Sequence, residues 1–138
     1  MKRSLCLGFA LTLIALTLAA CTFSTSVGGA SVEFGRSRNA QGFCRNDKTL
    51  ELGDKSTTFK PGEHFIYVFK NGSSFNSSTL TIQLSDSATK EVILTHDYQV
   101  NKDNDAYSDK IWFEAPGKYT VQFLIDGKAR ATQEVIIQ

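Results

Sequence analysis

The sequence predicts an all-β fold of about seven antiparallel strands, arranged as a sandwich or a barrel. Residues 48–138 contain a series of short runs in which apolar and polar residues alternate, as expected for strands with one buried face. Pairs of turn-forming residues separate these runs at hairpin spacing: Pro61-Gly62, Asn71-Gly72, Pro116-Gly117 and Asp126-Gly127. After residue 20 the sequence shows no amphipathic helical period, so an antiparallel β fold is favoured over a mixed one.

The first half of the predicted domain contains three short strands. The first covers residues 32–34, and residues 35–42, which have no period, are expected to form a loop. The second covers residues 49–52 and ends before a glycine. The third, residues 63–70, carries aromatic and β-branched residues on both faces, which favours a central strand covered on both sides.

The second half alternates more regularly. Its predicted strands cover residues 79–85, 91–100 and 110–114, with a polar loop over 101–109. In the strand over 91–100, we expect Val92 and Leu94, or alternatively Ile93, to face the core.

The last two runs form the clearest local signal. Residues 118–125 and 128–137 alternate, and only Asp126-Gly127 separates them. Asp-Gly between alternating runs predicts a two-residue hairpin turn in which both turn residues have positive φ.

The N-terminal segment has the features of an export signal. Lys2 and Arg3 precede residues 5–18, a run with no charged residue. This run is shorter than the roughly 20 apolar residues that span a membrane, so a cleaved signal is favoured over a retained helix.

The residues that close this run resemble the lipobox of bacterial lipoproteins: Leu18-Ala19-Ala20-Cys21. The resemblance implies cleavage between Ala20 and Cys21, followed by acylation of Cys21. It divides the chain into a signal peptide (1–20), a flexible tether rich in small residues (21–31) and a β-sandwich domain (32–138). An ordinary cleaved signal is the alternative.

The same resemblance implies a place in the cell. A lipoprotein is exported and held on a membrane of the cell envelope by its lipid. Thr22 stands where an aspartate would retain many such proteins at the inner membrane, so the outer membrane is expected in a host with two membranes. If Cys21 is acylated, Cys44 has no partner for an intramolecular disulfide.

Around the last hairpin the chain resembles immunoglobulin-like or fibronectin-type sandwiches. The resemblance rests on residues 115–123, where Pro116-Gly117 leads into Tyr119 and Val121. It implies that Tyr119 is a corner tyrosine whose hydroxyl bonds back to the backbone. Val121 stands where antibody-type domains have a cysteine. A transthyretin-like sandwich, as in some secretion-system lipoproteins, is a second resemblance.

Charge and motifs exclude several classes of function. The chain has 15 Lys and Arg residues against 14 Asp and Glu residues, with no basic stripe of the kind that nucleic-acid binding needs. It lacks the motifs of serine hydrolases, zinc proteases and phosphate-binding loops, so neither an enzyme nor a cofactor is predicted. His64 and His96 have no metal-binding spacing.

Two sets of residues are candidates for binding. The acidic loop over 101–109 offers Asp103, Asp105 and Asp109 as a weak calcium site, although it lacks the glycine and glutamate of an EF-hand.

Three aromatic residues are candidates for contact with a partner or sugar: Phe75, Tyr107 and Trp112. Alternatively, Phe75 and Trp112 close the ends of the core. The sequence thus predicts a non-enzymatic binding module that contacts a protein partner. The alternatives are a component of an envelope or secretion complex and, less favoured, an enzyme inhibitor.

Overall fold

The computed structural model describes residues 22–38 and 52–138. The predicted signal peptide, Cys21 and Cys44 lie outside these residues. The described residues form ten strands: β1 (Ser24–Ser26), β2 (Ser31–Arg38), β3 (Leu52–Lys55), β4 (Thr58–Phe59), β5 (Phe65–Lys70), β6 (Thr79–Asp86), β7 (Val92–Gln99), β8 (Ala106–Ile111), β9 (Gly117–Ile125) and β10 (Lys128–Ile137).

The strands form two sheets that enclose one main core. The six-stranded sheet has the order β1-β10-β9-β6-β7, with β4 also paired to β10, and the four-stranded sheet has the order β3-β2-β5-β8. All pairs are antiparallel except the short parallel pair of β4 and β10. The structure therefore confirms the all-β antiparallel prediction and decides for the sandwich over the barrel. It adds short strands, such as β1 and β4, to the seven expected.

The core is rich in aromatic rings from facing strands. Phe69 of β5 stacks on Phe123 of β9 with 5.0 Å between ring centroids, and both side chains are fully buried. The strand β5 is central and buried on both faces, as predicted. Its opposite face places Ile66 and Val68 in a second apolar cluster with Leu52.

The final hairpin confirms the prediction. Lys128 pairs with Ile125, so Asp126 and Gly127 form a two-residue turn with φ of 50° and 73°. A β-bulge lies between Ala129 and Ala131 in the same strand pair.

The corner tyrosine also has the expected geometry. The Tyr119 hydroxyl donates a 2.9 Å hydrogen bond to the carbonyl oxygen of Ala115, four residues upstream. Its ring stacks on Phe113 at 4.4 Å. The hydrogen bond and the ring contact hold the turn before β9 against the end of the sandwich.

The tether prediction needs correction for part of its length. Ser24–Ser26 is strand β1 and pairs antiparallel with β10. The Phe23 N–H donates to a carboxylate oxygen of Glu134 at 2.9 Å, and the Glu134 N–H donates to the Phe23 carbonyl. Main-chain pairing explains the difference, because it needs no apolar side chain and so small polar residues can extend a sheet.

Some predicted boundaries are also wrong. Strand β2 runs to Arg38, through residues that were predicted as loop, because its main chain pairs with both β3 and β5. Strand β3 continues to Lys55, past the glycine at which it was expected to stop. Strand β8 begins at Ala106, inside the polar segment predicted as loop, because that segment pairs with β5. In each case main-chain pairing overrides the local side-chain pattern.

Candidate functional site

The strongest candidate site lies where the two sheets end on the same side of the sandwich. Strand β7 is the last strand of the six-stranded sheet, and β8 is the last of the four-stranded sheet. A cavity of about 240 Å³ lies between them. We call this surface the β7–β8 groove and define it by the residues that line it: Tyr67, Ile82, Leu84, Leu94, His96, Tyr98, Lys110, Ile111 and Trp112.

The register of the strands explains why these side chains meet. Leu94 pairs with Leu84, and His96 pairs with Ile82, so both β7 residues lie on the core-facing side of their sheet. Leu84 and Ile82 are buried, whereas Leu94 is 51% exposed. The core face of the six-stranded sheet thus continues outward along β7 into solvent.

The floor of the groove contains a buried phenol. Tyr67 is 1% exposed, and its hydroxyl makes no hydrogen bond with a described residue. The Tyr98 phenol lies close to it without meeting hydrogen-bond geometry. A buried hydroxyl costs about 1–3 kcal/mol of stability when it is left without a partner.

Burial and nearby charge keep both phenols protonated. Burial raises the pKa of Tyr67 far above its ordinary value, and Tyr98, Tyr107 and Asp109 raise it further. Burial also raises the pKa of Tyr98, again with a contribution from Asp109. Both hydroxyls therefore remain hydrogen-bond donors through neutral pH.

Two exposed apolar side chains, Leu94 and Trp112, line this groove, and two more lie on the same strand as Leu94. The described part of the chain has six large apolar side chains that are exposed, and four of them lie on β7 or beside β8: Val92, Ile93, Leu94 and Trp112. Leu94 lies on the core-facing side as expected but is half exposed, whereas the expectation for Val92 is wrong, because Val92 pairs with Ser85 across the bulge; the alternative, Ile93, is exposed as well. β7 is the edge strand of its sheet, so its side chains have neighbours from the same sheet on one side only.

The three aromatic candidates do not form one exposed patch. Phe75 is 3% exposed and stacks on Phe69, so it belongs to the core. Tyr107 is half-buried against Tyr98 at 5.3 Å. Trp112 is 49% exposed at the groove, and its indole stacks on His64 at 4.6 Å.

The structure does not bring the calcium candidates together. Among residues 22–38 and 52–138, no group of three or more His, Cys, Asp or Glu side chains is placed to hold a metal. Asp109 lies in β8, whereas Asp103 lies in the loop before it. Carbonyl oxygens of that loop already accept hydrogen bonds, for example that of Asn104 from the N–H of Phe75 and that of Asp105 from the N–H of Asn71.

The two histidines occupy separate positions. His96 lines the groove, whereas Asp97, next to it in sequence, points to the other face and accepts a 2.7 Å hydrogen bond from Thr81. His64 packs on Trp112. In the described residues they therefore do not form a catalytic pair with a neighbouring carboxylate.

Sequence reasoning missed the groove, although one signal for it was present. Three consecutive apolar residues, 92–94, interrupt the alternation expected for an edge strand with one wet face. The pairing shifts at this point, between Leu84 and Ser85, and leaves Ile93 in a bulge. No local sequence signal identifies the Tyr67 hydroxyl, because its burial and its hydrogen bonding depend on three neighbouring strands.

Comparison with known proteins adds little. No protein-family model matches the chain. The curated proteins also contain no match. One similar solved structure is a DUF3244 family protein from Bacteroides vulgatus, described as an immunoglobulin-like β-sandwich, with 16% identity and a TM-score of 0.39. The match covers 53% of this chain and 74% of that chain. At this identity and score the likeness supports no statement about function.

The described residues contain no helix with the length and apolar character needed to cross a membrane.

Proposed function

We propose that the chain is a lipid-anchored, non-enzymatic binding module of a bacterial cell envelope, and that it binds a protein partner at the β7–β8 groove. The observation that carries the binding site is the cluster of exposed Leu94, Trp112 and their apolar neighbours around an open cavity. Monomeric proteins rarely expose a contiguous apolar surface unless it contacts something. The groove walls are mostly aliphatic and aromatic, which suits contact rather than bond-making chemistry.

The lipid anchor is proposed from the lipobox residues and agrees with the topology. Thr22, which follows Cys21, precedes β1 at one edge of the six-stranded sheet, and β7 forms the opposite edge. Four strand spacings of about 4.8 Å separate these edges. An anchor at Cys21 therefore leaves the groove free to meet a partner. We expect the outer membrane in a host with two membranes.

Capture of partners from host membranes tests the binding proposal. The full chain, its Leu94→Arg variant and its Val27→Arg variant are used as baits. Both positions are exposed apolar residues, but Val27 lies near β1, away from the groove. A partner protein should be retained by the wild type and by Val27→Arg and lost with Leu94→Arg, because a charge would be buried at the contact. The same proteins on all three baits, or only a small molecule that the protein hydrolyses, would contradict the proposal.

A further inference from the structure

We propose that the partner presents an extended basic–apolar segment, which pairs with the free edge of β7, places one large apolar side chain in the β7–β8 groove and sets basic side chains against Asp97 and Asp109. This inference rests on the proposed function and names the chemistry of its partner. It follows from three features: the free edge of β7, the faces on which the nearby charges lie and the shape of the cavity.

The free edge of β7 has little protection. Edge strands are commonly blunted by lysine, proline, bulges or charged side chains that point inward. Strand β8, the edge strand across the groove, contains an inward-facing carboxylate, Asp109, and the lysine Lys110. Strand β7 contains no lysine and no proline, and its pairing with β6 shifts register at Ile93. Residues 94–99 therefore remain regular and able to pair with an added strand, which would gain main-chain hydrogen bonds.

The charge on the cavity side of β8 is negative. Asp109 pairs with Tyr67, whose side chain belongs to the core, so Asp109 lies on the inward face of β8. Burial raises the pKa of Tyr67 and Tyr98, and the charge of Asp109 raises both further, so its carboxylate lies near these two lining residues. Lys110 also lines the cavity, but it pairs with Ile66, so its side chain lies on the opposite face of the sheet. Asp109 is half-buried and makes no ion pair with a described residue, so a basic side chain that enters from the β7 side would meet an unpaired carboxylate.

The outward face of β7 is also negative. Asp97 follows His96, which faces the core, so Asp97 lies on the other face of the sheet. It is exposed, accepts a 2.7 Å hydrogen bond from the Thr81 hydroxyl and makes no ion pair with a described residue. His96 would oppose a basic side chain only when its imidazole is protonated. An added strand would thus have Asp97 beside its outward face and Asp109 opposite its inward face, which favours basic residues on both faces.

The cavity fits an apolar side chain of such a strand. A strand added beside β7 continues the six-stranded sheet, so its alternate side chains face the same way as Leu94 and His96. They would enter the space bounded by Ile111 and Trp112 on the β8 side. A cavity of about 240 Å³ has room for one large side chain, and its aliphatic walls favour an apolar one. Because Asp109 lies two residues from Ile111 on the same face of β8, a basic residue two positions from the apolar one would reach the level of its carboxylate.

Trp112 supplies a direct test, because it is the only tryptophan in the chain and it borders the groove. The probes are blocked heptapeptides with a central phenylalanine, titrated at low salt and about pH 8 into the full chain in detergent. In the first set the residues two positions to either side of the phenylalanine are lysine, glutamine or glutamate, and in the second set the residues next to it vary in the same way. Binding should shift the Trp112 emission to the blue. In each set the lysine peptide should bind up to about fivefold more tightly than the glutamine peptide, as expected for an exposed ion pair, and the glutamate peptide should bind most weakly.

Two variants assign the charge effects to the two faces of the added strand. Asp109→Asn should remove the preference for lysine in the first set and keep it in the second, because Asp109 lies on the side that the phenylalanine enters. Asp97→Asn should do the reverse, so each variant is the matched control of the other. Leu94→Arg should abolish the response to all peptides, and Val27→Arg should not. Equal binding of the lysine and glutamate peptides in either set, or no emission change with any peptide, would overturn the inference.

Methylated peptides test the strand pairing itself. The N–H groups of successive residues in a strand point to opposite edges, and an N-methyl group blocks the edge on which it lies. Two isomers of the lysine peptide carry N-methyl groups on alternate residues, one on the even and one on the odd positions. The isomer that keeps its N–H groups toward β7 should bind and the other should not. Equal binding of both isomers would mean that the peptide occupies the groove without adding a strand, which contradicts the inference.

Two further outcomes assign the groove to a different occupant and also overturn the inference. If Trp112 emission shifts with protein concentration alone and sedimentation shows a dimer, the occupant of the β7 edge is a second copy of the chain. If partner capture remains sensitive to Leu94→Arg while the peptides show no preference for lysine, the proposed function stands and only the basic–apolar chemistry fails. Failure of both experiments removes the proposed function as well.

Discussion

Two buried tyrosines show that the hydrogen-bond partners of a hydroxyl decide how it affects the stability of the fold. Tyr119 is 9% exposed and its hydroxyl donates to the Ala115 carbonyl, whereas Tyr67 is 1% exposed and its hydroxyl has no partner among the described residues. A satisfied buried hydroxyl stabilises the fold, and an unsatisfied one costs free energy. The same substitution should therefore have opposite effects at the two positions.

We predict that Tyr119→Phe lowers the free energy of unfolding by about 0.5–1.5 kcal/mol, because it removes the hydrogen bond and leaves the aromatic packing. Tyr67→Phe, the matched control, should leave the stability unchanged or raise it. Urea denaturation of both variants measures these changes. A clear loss of stability in Tyr67→Phe would show that its hydroxyl has a partner in solution, such as a bound water.

At the scale of elements, the turn between β9 and β10 depends on backbone conformation alone. Gly127 has a φ of 73°, and a Cβ added there would meet no atom within 4 Å. Any cost of substitution is therefore conformational strain and not a clash.

We predict that Gly127→Val destabilises the domain by about 1–2 kcal/mol, the cost of a left-handed conformation for a residue with a side chain. Gly127→Asn is the control and should cost less, since asparagine tolerates positive φ. Denaturation midpoints provide the measurement. Equal midpoints for the valine variant and the wild type would mean that the turn adopts another geometry.

One ionised carboxylate adds to the main-chain pairing that attaches β1 to the sheet. Glu134 accepts hydrogen bonds from Lys118 at 2.8 Å and from the Phe23 N–H at 2.9 Å. Burial alone would raise the pKa of Glu134, but these hydrogen bonds outweigh it, so the pKa lies below the ordinary value of 4.5. Because the folded pKa is lowered, this contribution to stability is present above pH 4.5 and is lost as the pH falls through the folded pKa.

We therefore predict that the amides of Ser24–Ser26 lose protection from hydrogen exchange as the pH falls below 4.5 and through the lowered pKa of Glu134, after correction for intrinsic exchange rates. In Glu134→Gln the protection should be weaker already at neutral pH, and the acid-dependent step should disappear. The amides of β9 serve as the internal control, because they lie in the centre of the sheet. Unchanged exchange at β1 in the variant would mean that main-chain pairing alone holds this strand.

On the scale of the whole molecule, the topology separates the proposed attachment point from the proposed binding surface. The chain enters the fold at β1, and the groove is bordered by β7 at the far edge of the same sheet. In the sheet order β1-β10-β9-β6-β7, the proposed membrane side lies at the β1 edge and the proposed partner side at the β7 edge. Because β1 is paired to the sheet, the proposed tether between Cys21 and the domain is shorter than the sequence predicts.

We predict that Cys21→Ser abolishes acylation and leaves the precursor uncut. Metabolic labelling with a fatty acid, followed by gel analysis of precursor and mature forms, measures both effects. Cys44→Ser is the matched control and should keep the label. Retention of label by the Cys21 variant would refute the lipobox assignment.

The sequence by itself determined the fold class, the final hairpin and the corner tyrosine. These features depend on local rules: side-chain alternation marks strands, Asp126-Gly127 requires positive φ, and Tyr119 lies in a short motif. Only the tertiary structure decided the groove, the pairing of β1 and the burial of Phe75. These depend on which strand lies last in each sheet and which side chains another strand covers. Leu94 and Leu84 have the same side chain and pair with each other, yet one is exposed and the other buried, because burial is set by contacts between strands that are distant in sequence.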